Sequence, residues 1–143
     1  MTRDDRFEQF FQSDAFAVVG AAKSRNKYGN KLLRCYMQHG LVVYPVNPRS
    51  DEIEGLACIA AIKDLPDTVR SISIITPPPV TEQVVREAMA KGIKNIWKQP
   101  GAESVQAIAD CHEAGINVIG DRNCILMFIV FKETGFSIKC FIN

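Results

Sequence analysis

The residues best equipped for chemistry sit in short polar segments, each directly after an apolar run. Val18-Val19 leads into Gly20-Ala21-Ala22-Lys23-Ser24-Arg25-Asn26-Lys27-Tyr28-Gly29. Small residues at the start of this segment let a ligand approach the backbone, and Lys23, Arg25 and Lys27 surround the approach. If a helix begins just beyond, its first turn adds unpaired N–H groups and partial positive charge. Such a place suits a phosphate or pyrophosphate. The dinucleotide fingerprint G-x-G-x-x-G is absent, because Ala22 stands at its second glycine, and a solvated polar turn is the competing reading.

The segment Asn47-Pro48-Arg49 discriminates further. NAD-binding folds place an acid after the second strand to hold the ribose hydroxyls. Here a guanidinium stands instead, which favours a ligand with an extra phosphate on or near its ribose. NADP and coenzyme A both carry one and NAD does not; a plain surface charge is the bland alternative. Thr76-Pro77-Pro78-Pro79 forms a stiff apolar ledge without proline N–H donors, suited to a base or a pantetheine arm, though prolines also start helices. Gln99-Pro100-Gly101 is a sharp turn able to offer backbone N–H groups and the Gln99 amide, or a mere turn. The segment Asp121-Arg122-Asn123-Cys124 completes the set, with Asn123 as its candidate contact.

Reactive groups are scarce. His39 stands before Gly40 and His112 shortly before Gly115, where an imidazole complements a helix C-terminus, a structural role. Cys124 lacks a nearby histidine to activate it, so a buried structural thiol is expected. Asp121 has no companion carboxylate in these segments, so paired acid–base chemistry lacks support. Trp97 is expected in the core or at its rim. The five cysteines form no C-x-x-C pair, which leaves no zinc ribbon or thioredoxin-like motif, and no metal is expected.

The elements that must position these segments alternate in type. Phe16 to Val19, Leu41 to Tyr44 (closed by Pro45 and Pro48), Ile72 to Thr76, Asn95 to Trp97 and Ile116 to Ile119 read as strands. Leu32, Leu33, Tyr36 and Met37 share a helical face ended by Gly40. Val84, Val85, Ala88 and Met89 share another, ended by Gly92, and Val105, Ile108 and Ala109 a third, ended by Gly115. This rhythm implies right-handed crossovers and a mainly parallel sheet covered on both faces: an α/β, Rossmann-like, doubly wound fold. Ligands of such folds bind outside the carboxyl ends of the strands, where all five polar segments fall and where the helix-end histidines do not.

Composition agrees with one globular domain spanning 1–143. The chain has 143 residues, 47% hydrophobic and 23% charged, and 17 basic against 16 acidic residues leave +1. That balance supplies no global field for nucleic acid or an anionic membrane. The longest apolar run, Ile125 to Phe131, is far below the roughly 18 residues of a membrane span. Unpaired cysteines and the absence of a signal-peptide pattern after Met1 point to the cytoplasm.

The run Val18-Val19-Gly20-Ala21-Ala22 … Lys27-Tyr28-Gly29, followed by Val43-Tyr44-Pro45-Val46-Asn47-Pro48-Arg49, resembles the CoA-binding domain of small YccU-like proteins. The same domain type occurs in the α subunit of succinyl-CoA synthetase and in ADP-forming acyl-CoA synthetases. The similarity continues through Ile53-Glu54-Gly55-Leu56, Asp64-Leu65-Pro66, Pro77-Pro78, Gly92-Ile93-Lys94 and Trp97-Lys98-Gln99-Pro100-Gly101 to Asp121-Arg122-Asn123-Cys124. Each motif is weak alone, but their order and spacing are specific. The resemblance implies that Gly20 to Ser24 meet the nucleotide phosphates and that Asn47 to Arg49 lie by the ribose phosphate. It also implies that Thr76 to Pro78 and Gln99 to Gly101 line the rest of the site.

One departure stands out. Many small members place a glutamate, often followed by histidine, soon after the cysteine matching Cys124, whereas here Leu126-Met127-Phe128-Ile129 follows. The segment 125–143 is an atypical apolar C-terminus whose alternation could form a hairpin strand, with a second copy of the chain as a candidate cover. The synthetases need further domains, one bearing a phosphorylated histidine, so a stand-alone ligase is not expected. The leading expectation is a non-catalytic or regulatory module for coenzyme A or a short acyl-CoA. An NADP-dependent oxidoreductase, or an interaction protein with a vestigial nucleotide pocket, is the alternative.

Overall fold

In a computed structural model of the protein, the described residues are 3–99, 102, 104–120, 131–133 and 136–138. Five strands form one parallel sheet: β1 (Ala15–Val19), β2 (Val43–Val46), β5 (Val69–Ile74), β6 (Asn95–Lys98) and β7 (Asn117–Ile119). Every residue of β1 is buried, as a central strand covered on both faces requires. The spatial order is β2-β1-β5-β6-β7, so the winding reverses between β1 and β5. In a doubly wound sheet, that reversal opens a crevice at the carboxyl edge. Helices α2 (Tyr28–Gln38), α3 (Pro78–Lys91) and α4 (Val105–Glu113) supply the crossovers.

The second strand runs two residues later than the sequence suggests, and Pro45 lies inside it. A proline is tolerated because β2 is the edge of the sheet. The Pro45 carbonyl faces outward and accepts the Ile59 N–H at 2.8 Å, so the missing proline N–H would also have faced away from β1. Beyond β2 comes a small hairpin, β3 (Glu52–Ile53) and β4 (Leu56–Ala57), that local patterning does not announce. Glu54 and Gly55 at its tip both have positive φ, +52° and +80°, the conformation of a tight type I′ turn. A 3-10 turn at Ile62–Asp64 then leads to β5.

Each face of the sheet has its own core. One packs Val84, Val85 and Ala88 of α3 and Ala107 and Cys111 of α4 on Ala17, Ile72 and Ile96. The other receives α2 and a further helix, α1 (Arg3–Phe11), whose alternating charges mask a Phe7–Phe10–Phe11 face. Trp97 lies here, fully buried: Phe7 stacks on it at 5.0 Å and Phe10 meets it edge-on at 5.3 Å. Ser71 and Ser73 leave room for these rings. Asn117 donates to Asn95, and Asn95 to Ser71, at 3.1 and 3.0 Å. Ser71 then donates to the Phe10 carbonyl at 2.7 Å and Asn117 to that of Arg6 at 3.0 Å, which anchors α1 through its backbone.

Toward the C-terminus, β8 (Phe131–Glu133) pairs antiparallel with β9 (Phe136–Ile138), and β8 lies against α2. The side chains of 125–143, on which the expected subunit contact depends, lie outside the described residues. None of the described helices is long and apolar enough to cross a membrane.

Replacing Asn95 by alanine should break the ladder that holds α1. An expected loss of about 1–3 kcal/mol, with the larger part if Asn117 stays dry, should appear in urea unfolding. An unchanged midpoint would show that α1 docks by its aromatic face alone.

Candidate functional site

At the carboxyl ends of β1, β2 and β5 the crevice widens into a cleft of about 820 Å³. Its lining brings together Gly20, Ala21, Ala22, Lys27 and Tyr28 from the loop after β1. Asn47, Pro48 and Arg49 enter from the end of β2, and Thr76 and Pro77 from the end of β5. Lys23 and Ser24 are exposed on the same loop but do not line the cleft. Pro78 is the first residue of α3 and also stands outside the lining. Gln99 is buried at 2% exposure, its backbone carbonyl accepts the Ala102 N–H at 2.9 Å, and it stands outside this lining. Pro100, Gly101, Asp121, Arg122, Asn123 and Cys124 lie outside the described residues.

Two glycines set the local geometry. Gly20 has φ +97°, and a Cβ there would stand 2.7 Å from the Ile75 carbonyl oxygen, across the switch point. Gly29, in the first turn of α2, lies directly against the Gly20 carbonyl, leaving no space for a side chain. The helix start therefore closes on the strand end, a role given to a glycine in dinucleotide-binding turns. Here the two glycines are nine positions apart, and the intervening residues form a longer loop.

That loop is held from beneath by residues that local sequence patterns do not flag. The Asn30 side-chain amide, fully buried, donates to the carbonyls of Ala22 at 2.9 Å and Lys23 at 3.3 Å, and to the Glu54 carboxylate at 3.1 Å. Its oxygen accepts from Arg34 Nε at 2.7 Å, and Arg34 donates onward to the Arg25 carbonyl at 2.9 Å. Asn47 donates to the Ala21 carbonyl at 2.9 Å and accepts the Arg49 N–H at 2.8 Å. Three successive carbonyls, of residues 21 to 23, are thus engaged by side-chain amides. Across a trans peptide the N–H points opposite to the C=O, so the N–H groups of Ala22, Lys23 and Ser24 turn away from those amides. Glu54 also pairs with Arg25 at 3.5 Å, which links the hairpin tip to the loop.

The far wall of the cleft is α3. Pro77 caps it, and Thr81 donates to the Thr76 and Pro77 carbonyls at 3.1 and 3.2 Å, fixing the helix start. Pro77 lines the cleft and caps the helix, whereas Pro78 and Pro79 begin its first turn. Val80, Val84 and Glu87, one face of α3, line the cleft opposite Ala60, Ala61 and Ile62. Of these residues the sequence singles out Val84 alone, as part of the apolar face of its helix. The only local signal was Val80 followed by Val84 and Glu87 at helical spacing.

Among the described residues, the histidines and cysteines stand away from this cleft. His39 caps α2 and His112 sits in the last turn of α4, both exposed. Burial pushes the Cys35 thiol up to about 12 and also raises Cys111, the latter partly offset by Lys98. Cys58 is raised by burial too, opposed by Lys23. The described lining contains no histidine or cysteine. Among the described residues, no group of three His, Cys, Asp or Glu side chains is placed to hold a metal ion.

The fold and the cleft define a nucleotide-type binding domain, and comparison with known proteins makes the class specific. Residues 14–129 match the CoA binding domain family, and the chain belongs to it. Among curated relatives, it is 26% identical over 129 residues to the acetate–CoA ligase (ADP-forming) II subunit alpha of Pyrococcus furiosus. That match covers 82% of this chain but only 28% of the ligase subunit. Two solved structures match over most of both chains. A conserved hypothetical protein from Pyrococcus furiosus has TM-score 0.75 and 42% identity, covering 78% of this chain and 96% of its own. A hypothetical protein from Pyrococcus horikoshii OT3 has TM-score 0.81 and 29% identity, covering 88% of each.

Because Asn30 satisfies two loop carbonyls and the Arg34 guanidinium from one buried position, Asn30→Ala should destabilise by about 1–3 kcal/mol. Amide exchange should speed up across residues 20–28 by more than in the sheet. Uniform acceleration, or none, would show that the loop holds its shape without this amide.

Proposed function

We propose that this chain binds coenzyme A or a short acyl-CoA as a non-catalytic or regulatory module. The observation that carries the reading is Arg49, exposed at the end of β2 and lining the same cleft as the Gly20 loop. A cation at this position, where NAD-binding folds put an acid, complements a phosphate attached to the ribose. The remaining fit is chemical. Gly20 to Ser24 supply small residues and outward N–H groups for the pyrophosphate, with Lys27 beside them. Thr76 and Pro77 offer an apolar ledge, and about 820 Å³ lies within the range of cofactor clefts. Family membership supports CoA as the ligand class.

The non-catalytic part of the reading rests on the described lining, which holds binding groups and no nucleophile–base pair. The chain spans 28% of the ligase subunit it matches, so that enzyme's reaction is not transferred to it. In this reading Gln99, Pro100, Gly101 and Asn123 are expected to serve the far end of the ligand, where an acyl group would sit. The compartment proposed is the cytoplasm.

Calorimetric titration separates the candidates. CoA should bind roughly 10- to 100-fold more tightly than dephospho-CoA, the range of a hydrogen bond to a charged group, and Arg49→Ala should erase the difference. Equal affinities for the two ligands would remove Arg49 from the site. Tight NADPH binding without CoA binding would replace this reading with an NADP-dependent one.

A further inference from the structure

The cleft is electrically polarised in a way that the phosphate contacts do not use. Among the described residues, its lining cations, Lys27 and Arg49, lie in loops at the carboxyl edge of the sheet, whereas the one lining carboxylate, Glu87, belongs to α3. Glu87 is nine residues past the helix start at Pro78, roughly 13 Å along the axis at about 1.5 Å per residue. It is exposed, and no ion pair or hydrogen bond engages it among the described residues. Val80 and Val84 precede it on the same face of α3, with Val80 48% exposed. Facing them are Ala60 and Ala61, which are too small to close the gap. This part of the cleft therefore combines apolar lining with an exposed carboxylate acceptor.

We infer that Glu87 is a specificity-determining residue that reads an exocyclic amine on the base of the nucleotide. The inference rests on the proposed CoA reading and deepens it. If Arg49 meets the ribose phosphate, the base on the same ribose must lie within a few bonds of it, in the part of the cleft between α3 and residues 60–62. Val80 and the two alanines offer apolar surface against which a flat ring can rest. A carboxylate only accepts hydrogen bonds, so it favours a ring edge that donates, such as the 6-amino group of adenine. A 6-oxo purine presents a carbonyl at that position and keeps a donor only at the neighbouring N1, so a carboxylate placed opposite position 6 meets an acceptor and is repelled. The carboxylate therefore selects for the amino base and against the oxo base with one group.

The test uses adenosine 3′,5′-bisphosphate and inosine 3′,5′-bisphosphate, which share every phosphate and differ at the base edge, with CoA titrated in parallel. The wild-type chain should prefer the adenosine compound by about tenfold or more. Glu87→Gln, whose amide can both donate and accept, should bring the ratio close to one while binding the inosine compound better than wild type does. Glu87 is exposed, so the variant keeps the fold. If CoA binds but the two bisphosphates bind equally, the role of Glu87 is wrong and the CoA reading stands. If neither CoA nor either bisphosphate binds, the CoA reading falls and takes this inference with it.

Discussion

The backbone of β1 and the backbone of α2 touch where Gly29 meets the Gly20 carbonyl, and much of the carboxyl edge follows from that contact. A single methyl group at Gly29 would push the helix off the strand. With the helix start drawn this close, the residues between the two glycines have nowhere to go but outward, over the crevice. The next residue, Asn30, is carried beneath the loop it has to support. Its amide then reaches the carbonyls of Ala22 and Lys23. A shorter turn with glycine at the second fingerprint position would leave no span for these side-chain bonds. The absence of G-x-G-x-x-G therefore reflects a different way of shaping a turn, by amide struts rather than by glycine alone.

Two networks of buried and half-buried polar groups lie at opposite edges of the sheet. At the amino edge, Ser71, Asn95 and Asn117 join neighbouring strands and end on carbonyls of α1. At the carboxyl edge, Asn30, Arg34 and Glu54 join α2, the cleft loop and the hairpin tip. Both satisfy groups that would be costly to bury alone. Their consequences differ. The first spends all its bonds on docking a helix, whereas the second fixes carbonyls and so aims the N–H groups across the same peptides. Glu54 sits at φ +52°, a conformation that costs a non-glycine residue some energy. The bonds of its carboxylate to Asn30 and Arg25 help to offset that cost.

Those differences explain what could be read from the chain. Alternating apolar runs give the sheet and its three crossover helices, because burial on both faces leaves a continuous signal in β1 and a periodic one in α2 to α4. The same logic places the polar segments after the strands, and the cleft gathers most of the first three. Helix α1 escaped notice because Asp4, Asp5 and Arg6 dominate its composition, while its aromatic face only makes sense once Trp97 is opposite. Asn30 and Glu54 escaped for another reason. Their bonds join residues 24 positions apart, and a side chain reaching a distant partner leaves no local period. Glu87 is read in sequence as one more exposed helix charge, and only the groove beside Val80 and Val84 distinguishes it.

The placement of charge and of thiols bears on what such a cleft can do. A nucleophile must be ionised and must reach the ligand, and the described cysteines fail on both counts. Cys35 lies on the buried face of α2 with its thiol held up to about 12, and Cys111 is buried between α4 and the sheet. The two histidines cap or close helices at the opposite edge, where their imidazoles complement the helix carbonyl ends. Among the described residues, the charged groups lining the cleft are two cations, Lys27 and Arg49, and the Glu87 carboxylate. Fixed charges of both signs in one groove impose an orientation on a ligand that carries phosphates at one end and donors at the other. For the binding role proposed above, the loop backbone must hold its shape, and the glycine contact and the amide struts are the contacts that hold it.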